Sequence, residues 1–166
     1  MSEALQIDPT AQISPDARII PSSRGSRIVI GAHTHIYDFV VIRPVGGSGD
    51  VIIGEHCYIN PHSCLYSGNG ITFGNYVLVA PGCMIVPTNH AYGRRDIPIR
   101  HQGFLPSKGG VVIEDDVWLG ANCTILDGAH IGKGAVIAAG SVVQGKVEPY
   151  AVMAGAPARF IRWRDE

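Results

Sequence analysis

The sequence predicts an all-β solenoid in which one short strand and one tight turn recur every six residues. Two features of composition and one repeat support this fold class. Of the 166 residues, 21 are Gly, and only 16% are charged although 46% are apolar. Disorder requires low hydrophobicity and high charge, so this composition excludes it. A mainly helical surface would carry more Lys and Glu and far less Gly.

The six-residue repeat is clearest from Ile113 onward, where consecutive blocks read IEDDVW, LGANCT, ILDGAH, IGKGAV, IAAGSV and VQGKVE. The first position of each block is Ile, Leu or Val, and the fifth is small or β-branched. Earlier blocks such as IGEHCY from Ile53 and VAPGCM from Val79 obey the same rule. The period is neither 3.6 nor 2. It predicts a parallel β-helix whose triangular coils stack their aliphatic side chains, with Gly, Asn and Asp at the corners. A sandwich of ordinary short strands does not explain the constant phase.

The interruptions of the repeat indicate where loops leave the solenoid. The register breaks over Arg43–Asp50, slips near Ser67–Gly70, and is lost over about residues 90–110. Long loops in a compact repeat fold are usually functional, so we expect the last of these to protrude and carry function. The C-terminal segment, about 156–166, predicts a short capping helix or tail. We expect a single domain spanning residues 1–166.

The charge balance and the cysteines restrict the class of protein. The formal net charge is -1 and there is no basic stripe, which argues against a nucleic-acid partner. We find no apolar run long enough to span a membrane and no signal peptide, so the expected location is cytoplasmic. The four cysteines lack metal or disulfide spacing. Cys57, Cys83 and Cys123 occupy the small fifth position, which predicts core fillers.

Several motifs resemble the hexapeptide-repeat acyltransferases. These motifs are TNHAYG before the loop, PIRHQG within it, the run DDVWLGANCTILDGAHIGKGAVIAAGSVV, and the closing AGAPARFIR. They are similar to the branch of galactoside, maltose, Nod-factor and polysaccharide O-acetyltransferases. The resemblance implies a left-handed β-helix, a homotrimer with active sites between subunits, and acetyl-CoA as the donor. It further implies transfer of the acetyl group to a hydroxyl of a sugar or glycan.

The resemblance also implies roles for individual residues on the acceptor side. His90 occupies the position of the family's general base, and an imidazole suits proton removal from a hydroxyl near neutral pH. Asn60 corresponds to an amide that hydrogen-bonds the acceptor or the reacting group, although Asn is also common at turns. Asn89 and Tyr66 are further candidates for the acceptor pocket. Trp118, outward-facing among small neighbours, is expected to line the cofactor or acceptor site, to pack in the trimer, or both.

A CoA arm requires a narrow groove of small residues, and its phosphates require cations. The candidate small residues are Gly120, Ala121, Ala138, Ala139 and Gly140. The candidate cations are Lys146, Arg159 and Arg162. Similar acetyltransferases carry Thr-Lys/Arg-Asp where this chain reads Gln144-Gly145-Lys146, so the basic residue is displaced by one position.

Three alternatives remain open from the residues. An amine of an amino sugar could replace the hydroxyl as acceptor. A metal-dependent enzyme of the γ-carbonic anhydrase type shares this fold, but His56 and His62 fall on different faces of the triangle and His33 and His35 alternate in direction, so no metal is expected. The third alternative is a β-helix without catalytic activity that only trimerises or binds CoA-like ligands.

Overall fold

The computed structural model describes residues 4–45 and 47–165, which wind into stacked coils of short parallel strands. The described strands form three sheets, one for each side of the triangular coil. Sheet A contains β1 (Leu5–Ile7), β4 (Ile28–Ile30), β7 (Val51–Ile53), β10 (Ile71–Phe73), β13 (Val111–Ile113), β16 (His130–Ile131) and β19 (Lys146–Val147). Sheet B contains β2 (Gln12–Ile13), β5 (His35–Ile36), β8 (Tyr58–Ile59), β11 (Leu78–Val79), β14 (Trp118–Leu119), β17 (Val136–Ile137), β20 (Ala151–Gly155) and β21 (Ala158–Trp163). Sheet C contains β3 (Arg18–Ile19), β6 (Val41–Ile42), β9 (Cys64–Leu65), β12 (Met84–Val86), β15 (Thr124–Leu126) and β18 (Val142–Val143).

The first position of each hexad forms the core, as the repeat predicts. The side chains of Ile59, Leu119 and Ile125 are fully buried, and each stacks on its counterpart in the next coil. The preceding residue of the same strand points outward, as Tyr58 does before Ile59. Each strand from β1 to β17 pairs in register with the strand three places further along the chain. The buried aliphatic side chains therefore form a column along the axis of the coil.

The fifth position is small because it lies inside a corner. Where it is polar, its hydroxyl bonds to the backbone instead of to water. Thr34 Oγ1 donates to the carbonyl of Gly54 at 2.8 Å, and Ser141 Oγ donates to the carbonyl of Ala138 at 2.7 Å. These bonds satisfy buried hydroxyls that would otherwise destabilise the core.

The corners carry more large side chains than the sequence led us to expect. His33, His56 and Tyr76 all adopt left-handed backbone angles, with φ between 55° and 60°. Their rings stack along the corner between sheets A and B, with centroids 4.9 Å apart at each step. At the next corner, Phe39 stacks on His62 at 5.1 Å. Ring stacking between successive coils offsets the cost of a positive φ at residues other than Gly.

The three interruptions of the repeat leave the solenoid at the same corner, between sheets C and A. The chain departs after β6, β9 and β12, and the longest departure joins β12 to β13. It contains a single 3-10 turn over Ile99–His101 and folds back on itself. The backbone N–H of Ala91 bonds to the carbonyl of Gly103, and that of Leu105 bonds to the carbonyl of Asn89. The expected protruding loop is therefore confirmed.

The C-terminal cap is a β-strand, so the helix, one of the two forms expected for this segment, is not found. The chain turns after β20, and β21 runs antiparallel to it, pairing Val152 with Arg162 and Ala154 with Arg159. The solenoid ends at β20 in sheet B, so that strand would otherwise expose an unpaired edge, and β21 covers it. The alternation of β-favouring residues in ARFIRW suits this role.

Candidate functional site

A cavity of about 300 Å³ lies where the long loop meets the outer side of sheet C. Three successive coils supply one wall: Val45 follows β6, Tyr66 follows β9, and Val86 ends β12. His90 and Phe104, from the two sides of the loop, supply another wall. The cavity therefore combines residues that are far apart in the sequence.

His90 is held at the root of the loop by Phe104. The two residues form an antiparallel bridge, and their ring centroids lie 4.6 Å apart with an angle of 34° between the planes. The imidazole remains exposed, because the phenyl ring covers one face only. A ring that is restrained on one side and open on the other can accept a proton from a ligand in the cavity.

The other end of the loop is anchored by Asp127, which is 4% exposed. Its Oδ2 accepts hydrogen bonds from the backbone N–H of Lys108 at 2.8 Å and from Asn69 Nδ2 at 3.2 Å. Its Oδ1 accepts one from the backbone N–H of Gly110 at 3.0 Å. These bonds satisfy a buried carboxylate and fix where the chain re-enters the solenoid.

Of the other acceptor-side candidates, the structure brings Tyr66 to the cavity with His90. Asn60 does not line this cavity. It follows β8 in sheet B, where its Nδ2 donates to the carbonyl of Val79 at 2.8 Å. Asn89 precedes His90, and its carbonyl accepts the hydrogen bond from Leu105, so it helps to close the base of the loop.

Trp118 lies on the outer face of sheet B and is half exposed. It lines a groove of about 500 Å³ together with Leu78, Val136 and Arg162. This groove is on a different sheet from the cavity that holds His90. Trp118 and the Arg162 predicted to bind the cofactor thus share one surface.

The small residues predicted to line the CoA arm meet at the corner between sheets B and C. The N–H of Gly140 bonds to the carbonyl of Ala121 at 2.8 Å, and the N–H of Gly120 bonds to the carbonyl of Ile137 at 2.8 Å. A Cβ on Gly120 would lie 2.6 Å from the backbone nitrogen of Ala139. Gly120 therefore allows two coils to approach, and the adjacent Ala139 and Gly140 are exposed.

The predicted cations do not form one cluster. Arg159 and Arg162 both lie on β21, beside the end of sheet B. Lys146 lies on β19 in sheet A, where its Nζ is 3.0 Å from Glu148 Oε1. Lys146 is therefore separated from the two arginines by a corner of the coil.

The cysteines are placed as the repeat predicts. Cys57, Cys83 and Cys123 are fully buried, and burial raises the pKa of the Cys57 thiol. The hydrogen bond with Cys123 and burial together raise the pKa of Cys83. Among the described residues, no cysteine lines the cavity that holds His90.

The histidines are dispersed over the solenoid. His33 and His56 stack at one corner, His62 lies at the next, and His35 packs edge-on against Tyr58 on sheet B. Within residues 4–45 and 47–165, no three His, Cys, Asp or Glu side chains are grouped so that they could hold a metal ion. The same residues contain no helix that is long and apolar enough to cross a membrane.

Sequence reasoning missed Phe104, Asp127 and the aliphatic wall of the cavity. Phe104 is one of two aromatic residues in a polar loop, and this could have marked it as a contact residue. Asp127 occupies a turn position in the hexad ILDGAH, where an acidic residue gives no functional signal. Val45 and Val86 carried no signal, because their role depends on the way the loop folds back.

Comparisons with known proteins agree with the fold. Residues 110–145 match the model of the bacterial transferase hexapeptide (six repeats). A Mycobacterium tuberculosis protein named "Probable acetyltransferase Rv3034c" is 34% identical over 143 residues, which are 84% of this chain and 45% of that protein. The Escherichia coli (strain K12) "Putative lipopolysaccharide biosynthesis O-acetyl transferase WbbJ" is 32% identical over 121 residues, covering 70% and 62% of the two chains. The chain thus spans about half to three-fifths of the length of these curated relatives.

Among solved structures, a complex of AntD is similar over nearly the whole chain. AntD is an N-acyltransferase from Bacillus cereus, and this complex holds a singly substituted mutant with dTDP-4-amino-4,6-dideoxyglucose and Coenzyme A. It is 26% identical with a TM-score of 0.76, covering 96% of this chain and 83% of that one. The chain is similar to hexapeptide-repeat acyltransferases, and residues 110–145 carry the repeat of that family.

Proposed function

We propose that this protein transfers an acetyl group from acetyl-CoA to a hydroxyl group of a sugar or glycan. The observation that carries the proposal is the exposed imidazole of His90, backed by Phe104 and facing a cavity of about 300 Å³. Acetyltransferases among the relatives support the donor, and the name of the Escherichia coli relative supports an O-linked acceptor. We expect the reaction in the cytoplasm, where acetyl-CoA is available, and in the synthesis of a polysaccharide or its precursor.

In this proposal His90 is the general base. A ring nitrogen of His90 accepts the proton of the acceptor hydroxyl while the hydroxyl oxygen attacks the carbonyl carbon of the thioester. The carbon–sulfur bond then breaks, and the proton held by His90 passes to the departing thiolate. A positioned base of this kind contributes about 10²–10⁴-fold to the rate.

The corner formed by Gly120, Ala121, Ala138, Ala139 and Gly140 suits the arm of acetyl-CoA. Its exposed residues have short side chains or none, so an extended chain can approach the backbone closely. The guanidinium groups of Arg159 and Arg162 lie near the end of sheet B, which suits the phosphate groups. Lys146, on sheet A and paired with Glu148, is the weaker candidate for this role.

Direct transfer, without an acyl-enzyme, fits the position of the cysteines. A covalent mechanism needs an accessible thiolate beside a base. Cys57, Cys83 and Cys123 are instead fully buried in the core. In the proposed direct transfer, both substrates bind before the acetyl group moves.

A homotrimer with active sites between subunits is part of the proposal. The outer face of sheet B presents Tyr58, Leu78 and Trp118, each between 39% and 49% exposed. An apolar face of this kind marks an interaction surface. If that face meets another copy of the chain, residues such as Trp118 and Asn60 would lie near the boundary between subunits.

An amine of an amino sugar is a second possible acceptor, and one solved structure supports it. The AntD complex contains an amino sugar nucleotide and is 26% identical to this chain. A His base can assist attack by an amine as well as by a hydroxyl. N-acetylation of an amino sugar is therefore the second candidate.

An assay of acetyl-CoA consumption tests the proposal. The purified protein is incubated with acetyl-CoA and each member of a panel of sugars, nucleotide sugars, oligosaccharides and amino sugars, and the release of free thiol is followed. We expect thiol release that depends on a sugar hydroxyl, with an O-acetylated product in the mass spectrum. Release only with amino sugars would favour the second candidate, and no release with any member would contradict both.

A further inference from the structure

The walls of the cavity beside His90 differ from those expected for a fully hydroxylated sugar. The lining is predominantly apolar and consists of six described residues: Val45, Tyr66, Val86, Thr88, His90 and Phe104. Sugar sites normally offer a hydrogen-bonding partner for each buried hydroxyl, because an unpaired polar group in such a site is costly. Few such partners are present among these six residues.

Thr88 cannot supply one of these partners. Its Oγ1 is buried and has no hydrogen-bonding partner among the described residues. It faces Gly68, where any Cβ would collide with that oxygen. The buried hydroxyl thus lies against Gly68 and is not exposed to a ligand in the cavity.

The polar side chains that remain in the lining are His90 and Tyr66. The mechanism uses His90 for the hydroxyl that is acetylated. Tyr66 is 40% exposed, and its phenol can bind one further polar group of the acceptor. The space between Val45, Val86 and the ring of Phe104 has no side-chain partner left for a second hydroxyl among the six lining residues.

From this arrangement we propose that the acceptor presents an apolar substituent to the cavity, next to the hydroxyl that is acetylated. A 6-deoxyhexose acetylated at O4 has this chemistry, because its C5 methyl group adjoins the reacting position. The methyl group packs against Val45, Val86 and Phe104, while the O4 proton passes to His90. This inference rests on the proposed sugar O-acetyltransferase activity and names the class of its acceptor.

Matched pairs of methyl glycosides test the inference. The pairs are D-fucoside and D-galactoside, D-quinovoside and D-glucoside, and D-rhamnoside and D-mannoside; within each pair only the oxygen at C6 differs. We expect the 6-deoxy member to have a kcat/KM about 10- to 100-fold higher, the range in which an apolar pocket discriminates against an added hydroxyl.

A substitution in the cavity wall makes the test specific. Val86→Thr keeps the β-branched shape and adds a hydroxyl at the wall, so the preference for the 6-deoxy member should fall at least about threefold, part of the discrimination that such a pocket provides. Val41→Thr is the matched control. Val41 is half-buried in the same sheet and does not line the cavity, so its variant should keep the preference of the wild-type protein.

Four results would overturn the inference. Equal rates within the pairs, or a preference for the hydroxylated members, would show that the cavity does not select an apolar substituent, and the proposed activity would stand. A preference of about tenfold for butyryl-CoA over acetyl-CoA that is lost in Val86→Thr would assign the cavity to the acyl chain. No turnover of any glycoside would contradict the sugar O-acetyltransferase proposal together with the inference.

Discussion

The imidazole of His90 and the phenyl ring of Phe104 lie 4.6 Å apart at the root of the long loop, and their backbones form an antiparallel bridge. The bridge fixes where the two residues meet, and the ring contact limits how far the imidazole can rotate. Phe104 is 50% exposed, so it contributes more to this arrangement than to the core. We regard Phe104 as a positioning residue for the proposed base.

Phe104→Ala should lower kcat about tenfold with little change in thermal stability, since a misplaced base loses much of its contribution to the rate. Phe104→Leu should recover part of the loss because it restores an apolar contact. Tyr92→Ala, in the same loop but 70% exposed, is the control and should retain wild-type kcat. An unchanged kcat in Phe104→Ala would show that Phe104 does not position His90.

Asp127→Ala should destabilise the protein by about 2–4 kcal/mol, because its hydrogen bonds to Lys108, Gly110 and Asn69 are lost and an unsatisfied buried donor costs about 1–3 kcal/mol. Urea unfolding measures this change, and kcat should fall as the loop root is released. Asp127→Asn, which keeps one acceptor oxygen, should lie between Ala and wild type. Asp16→Ala, at an exposed turn, should have a small effect, and an equal loss in that variant would contradict the anchoring role of Asp127.

Gly109 and Gly110 form a matched pair at the end of the loop. Both have positive φ, 108° and 79°, but only a Cβ at Gly110 would meet neighbouring backbone, at 2.5 Å from the carbonyl oxygen of Gly70. Gly109→Ala should cost about 1 kcal/mol through backbone strain alone. Gly110→Ala should cost about 2–4 kcal/mol, because steric overlap adds to the strain. Similar unfolding free energies for the two variants would mean that the loop root can shift to accept the side chain.

The stability of the folded protein should depend on pH through Asp50, and the direction of this dependence follows from its contacts. The backbone N–H of Arg27 and its guanidinium group donate to the carboxylate, and together they lower the pKa of Asp50 against the effect of burial. A carboxyl whose pKa is lower in the folded state stabilises the protein at pH values above its unfolded-state pKa. This stabilisation is lost as the pH falls below about 4.

Asp50→Asn should therefore be less stable than wild type at pH 6, by about 1 kcal/mol, and this deficit should be smaller at about pH 2.5, because the wild-type carboxyl takes up protons as the pH falls. Urea unfolding at the two pH values measures the difference. Asp16→Asn should show no such convergence. A deficit in Asp50→Asn that is the same at both pH values would contradict the electrostatic account.

Much of the fold could be predicted from the sequence because the repeat is local. Each hexad specifies its own strand and corner, so Ile113, Leu119 and Ile125 identify the core without knowledge of distant contacts. The C-terminal strand could not be predicted in this way. It forms because sheet B ends at β20 and leaves an edge, and that edge depends on where the whole solenoid stops.

The candidate site likewise combines residues that the sequence identified with residues that it could not identify. The motif at the start of the loop singles out His90, and Tyr66, expected on the acceptor side, lines the same cavity. Phe104 and Val45 come to this cavity only through the return of the long loop, for which the hexad pattern carries no information.

The central claim is that His90 acts as the general base, and the turnover number of His90→Ala tests it most directly. His90 is exposed, so the variant should fold with an unchanged thermal midpoint and bind acetyl-CoA with an unchanged KM. His101→Ala, an exposed imidazole in the 3-10 turn of the same loop, is the control and should match the wild-type protein. We expect kcat of His90→Ala to fall at least about 100-fold, the lower end of the contribution of a general base. A kcat within about threefold of wild type, far short of that contribution, would contradict the account.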